Sequence, residues 1–482
     1  MPLRTRRNGR CAPLTRSRSI DPATRSSDLG PFLAAARADE HARPPARSGL
    51  ELSSIIAFAT YSAAVGASYL AQLAIARAVG ATSYGYYSYV LAWITILAYV
   101  ATLGFDVSLL RLVASYKARS AWGLAKGAMR YAERRSIACG VVIALLGVMA
   151  VEAFGGDRSA DLRATFILGF MVVPVLALLW IRAATVRALG GVVAALVPDR
   201  LVRDGLLVVV VWIAVRVWHG RIDAAFVMAA TLACSLAGLV LVSVMKRRWH
   251  PAALDRSPAA SAAPMWRRTA LPLVLIAVAE SAMNRTGIVL LGWQGHTSEA
   301  GAFALIFNIT SIVVLPRVAV NTRFAPMVSE LFTNGDRSAL QSLTATATGW
   351  SLVGAALIAI PLWILGDWIL GRFGTDFQIA LVPLQILLFS QLIAAAAGSQ
   401  IFLMTMTGHE RGAAMIVTLS AIGNALLSAV LINRFGIIGA AVASTVTLLA
   451  LNLAMAAFVR RHLGLFPGIL AFVANRRVAR VS

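Results

Sequence analysis

Twelve stretches of about twenty mostly apolar residues recur along this 482-residue chain, each the length a helix needs to cross the hydrocarbon core of a bilayer. They fall near 52–76, 86–110, 136–155, 162–181, 201–218 and 224–245, then near 269–291, 300–322, 343–370, 377–405, 412–432 and 437–459. In hydrocarbon every backbone N–H and C=O must find a protein partner, so runs of this length commit the chain to helices. The expected fold class is all-α, a polytopic membrane protein of about 12 transmembrane helices. Composition agrees: 59% of residues are apolar and 13% charged, against roughly 45–50% and about 25% in soluble domains.

The segment KRRWHPAALDRSPAASAAPMWRR, 246–268, is rich in Pro, Ser and charge and separates two sets of six spans. The expected organisation is a disordered basic cytoplasmic tail (1–50), an N-terminal six-helix bundle (51–245), a cytoplasmic linker (246–268), a C-terminal six-helix bundle (269–460) and a basic cytoplasmic tail (461–482). The first tail holds no apolar run long enough for a signal-peptide core. Its RR pair, in RTRRNGR, is not followed by an apolar region, which argues against a twin-arginine signal. A start codon assigned too early is the other reading of this tail.

Net charge is +23, with 44 Lys+Arg against 21 Asp+Glu, but the basic residues lie mostly between apolar runs, where topology requires them. Nucleic acid is therefore not an expected partner. With the N-terminus inside, and with basic residues near span ends assigned to the adjoining connections, 36 fall in cytoplasmic segments, 7 in outer connections, and Arg285 is left within a span. Without the N-terminal tail the ratio is still 26 to 7. Both termini are expected in the cytoplasm. Trp218, Trp293 and Trp368 lie at predicted outer ends, where an interfacial aromatic belt would have them. Cys11, Cys139 and Cys234 are too scattered for a disulfide framework or a C-x-x-C metal pair, and the six histidines lack ligand spacing. No metal or cofactor is expected. A G-x-x-x-x-G-K-[ST] nucleotide loop is absent, so energy would come from an ion gradient or from downstream consumption.

The connection between spans 1 and 2 reads VGATSYGYYSYV, and that between spans 7 and 8 reads QGHTSEAGAFAL. Both run Gly, one residue, Thr-Ser, a short gap, Gly, then a helix with an aromatic two residues on. Such an internal repeat fits two pseudo-equivalent halves with a site between them near the bilayer midplane.

The stretches LGFDVSLLRLVASYKA (103–118), IVLLGW…SEAGAFAL (288–305), FAPMVSELFTNGD (324–336) and NALLSAVLINRFGIIGAAVAS (424–444) resemble the polysaccharide biosynthesis flippases. These are the oligosaccharide exporters of the multidrug/oligosaccharidyl-lipid/polysaccharide superfamily. The resemblance covers about residues 50–460. It implies two helical bundles around a central cavity in a bacterial plasma (inner) membrane, and a polyprenyl-diphosphate-linked oligosaccharide repeat unit moved from the inner to the outer leaflet. O-antigen, capsule and exopolysaccharide synthesis are the settings it implies, with membrane lipids, a polysaccharide polymerase and chain-length machinery as partners. No enzymatic step is expected. Carrying a diphosphate past ~30 Å of hydrocarbon calls for a polar, cationic path, and Arg offers a bidentate fork to phosphate oxygens.

Span 7 holds the sharpest candidates. A charge at the centre of a spanning helix costs at least ~2.5 to 3.5 kcal/mol, yet AESAMNRTG (279–287) interrupts continuous hydrocarbon. At 100° per residue, Glu280, Ser281, Asn284 and Arg285 share an arc of roughly 140°. Glu280 and Arg285 are five residues apart and do not stack as i,i+4 partners do. The functional reading aims this face at the cavity, with Arg285 near the diphosphate or sugars and Glu280 balancing it or taking up a coupling proton; the bland reading is a helix-to-helix pair.

Span 8 carries Thr310, Arg317 and Asn321 on one face, with Arg317 deep enough for the cavity and Arg323 serving topology. Span 1 has a stripe of Ser62, Gly66, Tyr69 and Gln72, expected for close helix packing, that ends at Arg77, a gate candidate or an outward snorkel. Asp106 and Arg111 in GFDVSLLR match the family's motif there and are candidates for a gate or a structural pair between bundles. Arg182, Arg187, Arg203 and Asp204 flank an inner connection and are expected to be topology determinants. Gln385, Gln391, Gln400, Asn424 and Asn452 can bond between helices or to sugars.

Three other functions compete. A drug or metabolite cation antiporter of the same superfamily would carry an acidic residue and a proline in span 1, and neither is present. A lipid II-type peptidoglycan-precursor flippase shares the chemistry and stays open. A membrane glycan polymerase or ligase would need a large outer loop, whereas every outer connection has about ten residues or fewer.

Overall fold

The structure is a computed structural model that describes residues 47–154, 159–217, 222–469 and 471. Most of both expected tails, together with Arg158, Trp218 and Arg221, lies outside the described residues, as do the side chains of Ser62 and Arg323. The chain divides into two units, Met1–Ile55 and Ile56–Ser482. The first is described only from Arg47, where it is helical. The second contains the helical body of the molecule, and no strand occurs among the described residues.

In chain order the first half comprises α1 (Arg47–Thr102), α2 (Phe105–Ala118), α3 (Trp122–Phe154), α4 (Ala160–Leu189), α5 (Val192–Leu196), a π-helical turn (Val197–Val202), α6 (Arg203–Val217) and α7 (Ala224–Arg248). A short α8 (Ala252–Arg256) lies in the linker. The second half comprises α9 (Ala263–Trp293), α10 (Thr297–Ser311), a 3-10 turn (Ile312–Val314), α11 (Leu315–Thr333), α12 (Arg337–Ile364), α13 (Gly366–Gly371), a further 3-10 turn (Thr375–Ala380), α14 (Leu381–Ala397), α15 (Gln400–Met406) and α16 (Glu410–Leu463). Nine helices among the described residues are long and apolar enough to cross a membrane.

Two of these helices are hairpins. Gly80 (φ 76°) interrupts α1, and Gly436 (φ 54°) interrupts α16, in a region of backbone space that only glycine occupies freely. The Tyr84 hydroxyl donates to Gln72 Oε1 at 2.9 Å, although twelve residues of straight helix would hold these positions roughly 18 Å apart. Likewise a Cβ on Gly439 would meet the Leu431 carbonyl oxygen at 2.2 Å. Each of the two long helices therefore folds back on itself and supplies two spans. Counted this way the body is the expected fold class, about twelve helices in two bundles around a central cavity.

Packing follows the rule for membranes, where lipid is as apolar as leucine and close approach decides which helices meet. In the first half α4 packs on α3 and α7; in the second, α9 and α14 pack on α16, and α11 on α12. Leu145, Leu146 and Met149 of α3 face outward, as lipid-contacting side chains do. Where the halves meet, the two copies of the internal repeat touch directly. A Cβ on Gly85 would lie 1.8 Å from the Thr297 carbonyl oxygen, and one on Gly301 would lie 2.6 Å from that of Ala81. Glycine at both places lets the backbones approach. At the opposite end, the linker end, a Cβ on Gly104 would lie 2.3 Å from the Ala270 carbonyl oxygen, and Trp266 Nε1 donates to the Tyr116 hydroxyl at 3.0 Å.

Four expected spans differ in detail, span 9 because α12 ends at Ile364 and α13 starts only at Gly366. Span 2 breaks at Leu103 (φ 53°) and Gly104 (φ 75°), and span 10 breaks at Gly398 (φ 78°). Span 5 starts nine residues earlier than expected, because α5, the π turn and α6 run on continuously from Val192 to Val217. The apolar run that locates a span is interrupted there by PDRLVRD, so the sequence reads as a connection what folds as helix.

Candidate functional site

Between the halves lies a cavity of about 590 Å³. Its wall is unequal: the first half contributes only Ser68 and Tyr69 of α1 and Arg200 of the π turn, and the rest comes from α9 onward. The second-half wall is rich in amides and hydroxyls, among them Asn284, Asn308, Asn321, Gln391 and Asn452. Phe307, Phe402 and Tyr69 supply flat apolar surface. Amides beside aromatic faces suit a polar, hydroxyl-bearing ligand.

Four of the five residues expected to line the path, Glu280, Asn284, Arg317 and Asn321, do line this cavity. Neither Glu280 nor Arg317 has an ion-pair partner among the described residues. Asn321 Oδ1 accepts from the Ser399 hydroxyl, which ties α11 to the break after α14. The polar arc of span 7 is divided. Glu280 and Asn284 open to the cavity, Ser281 is buried without a hydrogen-bond partner among the described residues, and Arg285 points at the first half. There it shares an electrostatic neighbourhood with Tyr84, Tyr87, Tyr99 and Arg200, and makes no ion pair among the described residues. Tyr99 is in turn packed on Trp180, with ring centroids 4.6 Å apart.

The gate candidates separate. Asp106 accepts from Thr102 Oγ1 at 3.0 Å and does not meet Arg111. Arg111 instead reaches Glu410 of the second half, 3.2 Å away. Arg77 is exposed, three residues before Gly80, and does not line the cavity.

The charges of span 5, expected to serve topology, form a largely buried network instead. Arg203 Nε lies 2.8 Å from Asp204 Oδ1 and its Nη1 lies 3.2 Å from Asp199 Oδ1. The Ser68 hydroxyl of α1 donates to Asp204, and Trp180 Nε1 donates to Asp199 at 3.2 Å. Arg200 leans on Asp199 at 3.4 Å and enters the cavity. π turns recur at functional sites because the extra residue breaks the regular hydrogen-bond ladder and re-aims side chains. Arg187 lies near Asp106, Asp199 and Arg200 without an ion pair among the described residues. Arg182, by contrast, is structural: with Lys246 it holds Glu133 of α3. A signal for the network was present in the sequence. Asp199, Arg200, Arg203 and Asp204 have the same i, i+1, i+4, i+5 spacing as the polar arc of span 7.

The remaining amides divide between structure and cavity. Asn424 Nδ2 donates to the Met283 carbonyl at 3.0 Å and joins α16 to α9. Gln400 lines the cavity, and its Oε1 has no hydrogen-bond partner among the described residues.

Comparison with known proteins bears on the fold. No family model matches the chain. A multidrug resistance MATE family transporter of the MOP superfamily, in its inward-facing conformation, superposes with a TM-score of 0.69 at 12% identity, covering 84% of this chain and 94% of that one. The lipid II flippase MurJ, in its inward closed conformation, gives 0.65 at 12% identity, covering 84% and 87%. The fold is the one these two solved proteins share. In sequence, 168 residues are 27% identical to the probable low-salt glycan biosynthesis flippase Agl15 of Haloferax volcanii. That match covers 33% of this chain and spans about a third, 34%, of the relative's length.

Proposed function

We propose that this protein is a flippase that moves a polyprenyl-diphosphate-linked oligosaccharide repeat unit from the inner to the outer leaflet of a bacterial plasma membrane by alternating access. The product would feed O-antigen, capsule or exopolysaccharide synthesis, with a polysaccharide polymerase and chain-length machinery as partners. The observation that carries the reading is the cavity itself: a wall of amides and hydroxyls with Arg200 on one half and Arg317 on the other. Hydroxyl-rich sugars match the amides, and guanidinium forks match diphosphate oxygens. In this reading Arg200 receives the diphosphate, with Arg285 adding positive charge behind the cavity wall, while Glu280, Asn284, Arg317 and Asn321 face the glycan. The lipid tail stays in the bilayer.

The bundles are assigned to 51–245 and 269–460, joined by the linker 246–268, with both termini in the cytoplasm. Taking Arg200 and Arg203 out of the inner connections, since they belong to a helix, leaves 34 basic residues inside against 7 outside, which still supports that orientation. Glu410 then faces the cytoplasm, and Gly85 and Gly301 lie toward the outside.

The test is deletion of the gene followed by lipid extraction. Polyprenyl-diphosphate oligosaccharide is expected to accumulate on the cytoplasmic side, with surface glycan lost. Accumulation of the peptidoglycan precursor instead would assign the protein to lipid II transport. Unchanged lipid-linked pools with altered drug tolerance would make it an antiporter.

A further inference from the structure

Positive charge in and behind the cavity wall stands in separate places. Arg200 and Arg285 lie close enough to act on one another and on Tyr99, beside the first half. Arg317 stands on α11 of the second half and makes no ion pair or hydrogen bond among the described residues. The same wall carries neutral polar groups. Asn321 lies one turn further along α11, and Ser399 and Gln400, the latter with an unpartnered Oε1, line the same cavity.

A guanidinium withdrawn from water without a counter-charge is costly, and such a group persists in a spanning helix when function requires it. In the proposed reading the diphosphate, a single compact anionic group, is met by Arg200, the guanidinium that enters the cavity from the first half. We propose that the transported oligosaccharide carries an acidic sugar, whose carboxylate is received by Arg317 apart from the diphosphate. This rests on the cavity being the lipid-linked glycan site. The planar fork fits a carboxylate bidentately, and the flanking amides fit the neighbouring ring hydroxyls. Glu280 faces the same cavity, also unpaired among the described residues. Its like charge disfavours a glycan that is acidic along its whole length, so the match is to one acidic residue among neutral ones.

The experiment uses the full-length protein in lipid nanodiscs and two synthetic probes on the same polyprenyl diphosphate. One bears a neutral disaccharide; the other is identical except that one hexose C6 is a carboxylate. Affinities are read by tryptophan fluorescence. Wild type is expected to bind the uronate probe about tenfold or more tighter than the neutral one, as a charge-assisted pair allows. R317Q is expected to bring that ratio to about one, and R317K to retain part of it. The ratio does not depend on the folded fraction, since both probes report on the same protein. Equal binding of the two probes by wild type, or an undiminished ratio in R317Q, overturns the acidic-sugar assignment and leaves the flippase reading standing. Binding of neither probe by wild type removes the glycan-site reading and this inference together.

Discussion

Arg111 Nη1 lies 3.2 Å from Glu410 Oε2, which joins α2 of the first half to the start of α16 in the second. Both side chains are substantially exposed, at 61% and 43%. An exposed ion pair contributes only ~0.2 to 1 kcal/mol. That is small for stability, yet it is enough to tilt a two-state equilibrium by about 1.4- to 5-fold.

If this pair helps close the linker end, R111E alone should raise the population open at that end by such a factor, and the charge-swapped double variant R111E/E410R should return it toward wild type. Spin-label distances between α2 and α16 measure the populations. A double variant that stays as open as R111E would show that the pair does not act as a clasp.

The contact between the repeats makes a sharper demand. A Cβ on Gly85 would overlap the Thr297 carbonyl oxygen, whereas one on Gly423 meets nothing within 4 Å. G85A should lose about 1–3 kcal/mol through forced backbone movement, and should increase thiol labelling of a cysteine introduced at Asn308 in the cavity wall. G423A is the matched control and should melt close to wild type.

The span 5 network should be stability-critical. Arg203 is largely buried and is held by Asp199 and Asp204, so D204A leaves a guanidinium short of a partner. Breaking a buried pair costs about 3–5 kcal/mol. E152A, which removes a half-exposed partner of Arg163 3.0 Å away, should cost at most ~1 kcal/mol. Thermal unfolding of the detergent-solubilised protein should rank the two, and equal melting would contradict the burial argument.

Trp266 ties the start of α9 to the first half through the Tyr116 hydroxyl, and it is 1% exposed. W266F keeps most of the ring and loses the hydrogen bond, for about 1 kcal/mol. W266A should lose about 3–5 kcal/mol. Comparable melting of the two variants would show that packing at this junction contributes little.

Much of the fold was legible because hydrocarbon permits so few backbone solutions. Runs such as LPLVLIAV and IVLLGW mark helices without reference to anything else. The same logic misplaced the start of span 5, where Pro198, Asp199 and Arg200 interrupt the apolar run. Hydropathy is a local sum, and it cannot register that Asp199 will have Trp180 and Arg203 as partners. In the same way periodicity gathered Glu280, Ser281, Asn284 and Arg285 on one arc, but not which edge of that arc faces the cavity.

The sequence by itself determined a helical membrane protein of about twelve spans, since segment length and apolarity act residue by residue. It also determined that charge would stand inside hydrocarbon at span 7. Only the tertiary structure decided how that charge is used. Glu280 and Arg317 are left unpaired in the cavity among the described residues, Arg285 faces the tyrosines of the first half, and Arg111 passes Asp106 to reach Glu410. Partnership depends on which helices approach within a few ångströms, and those helices are far apart in the chain.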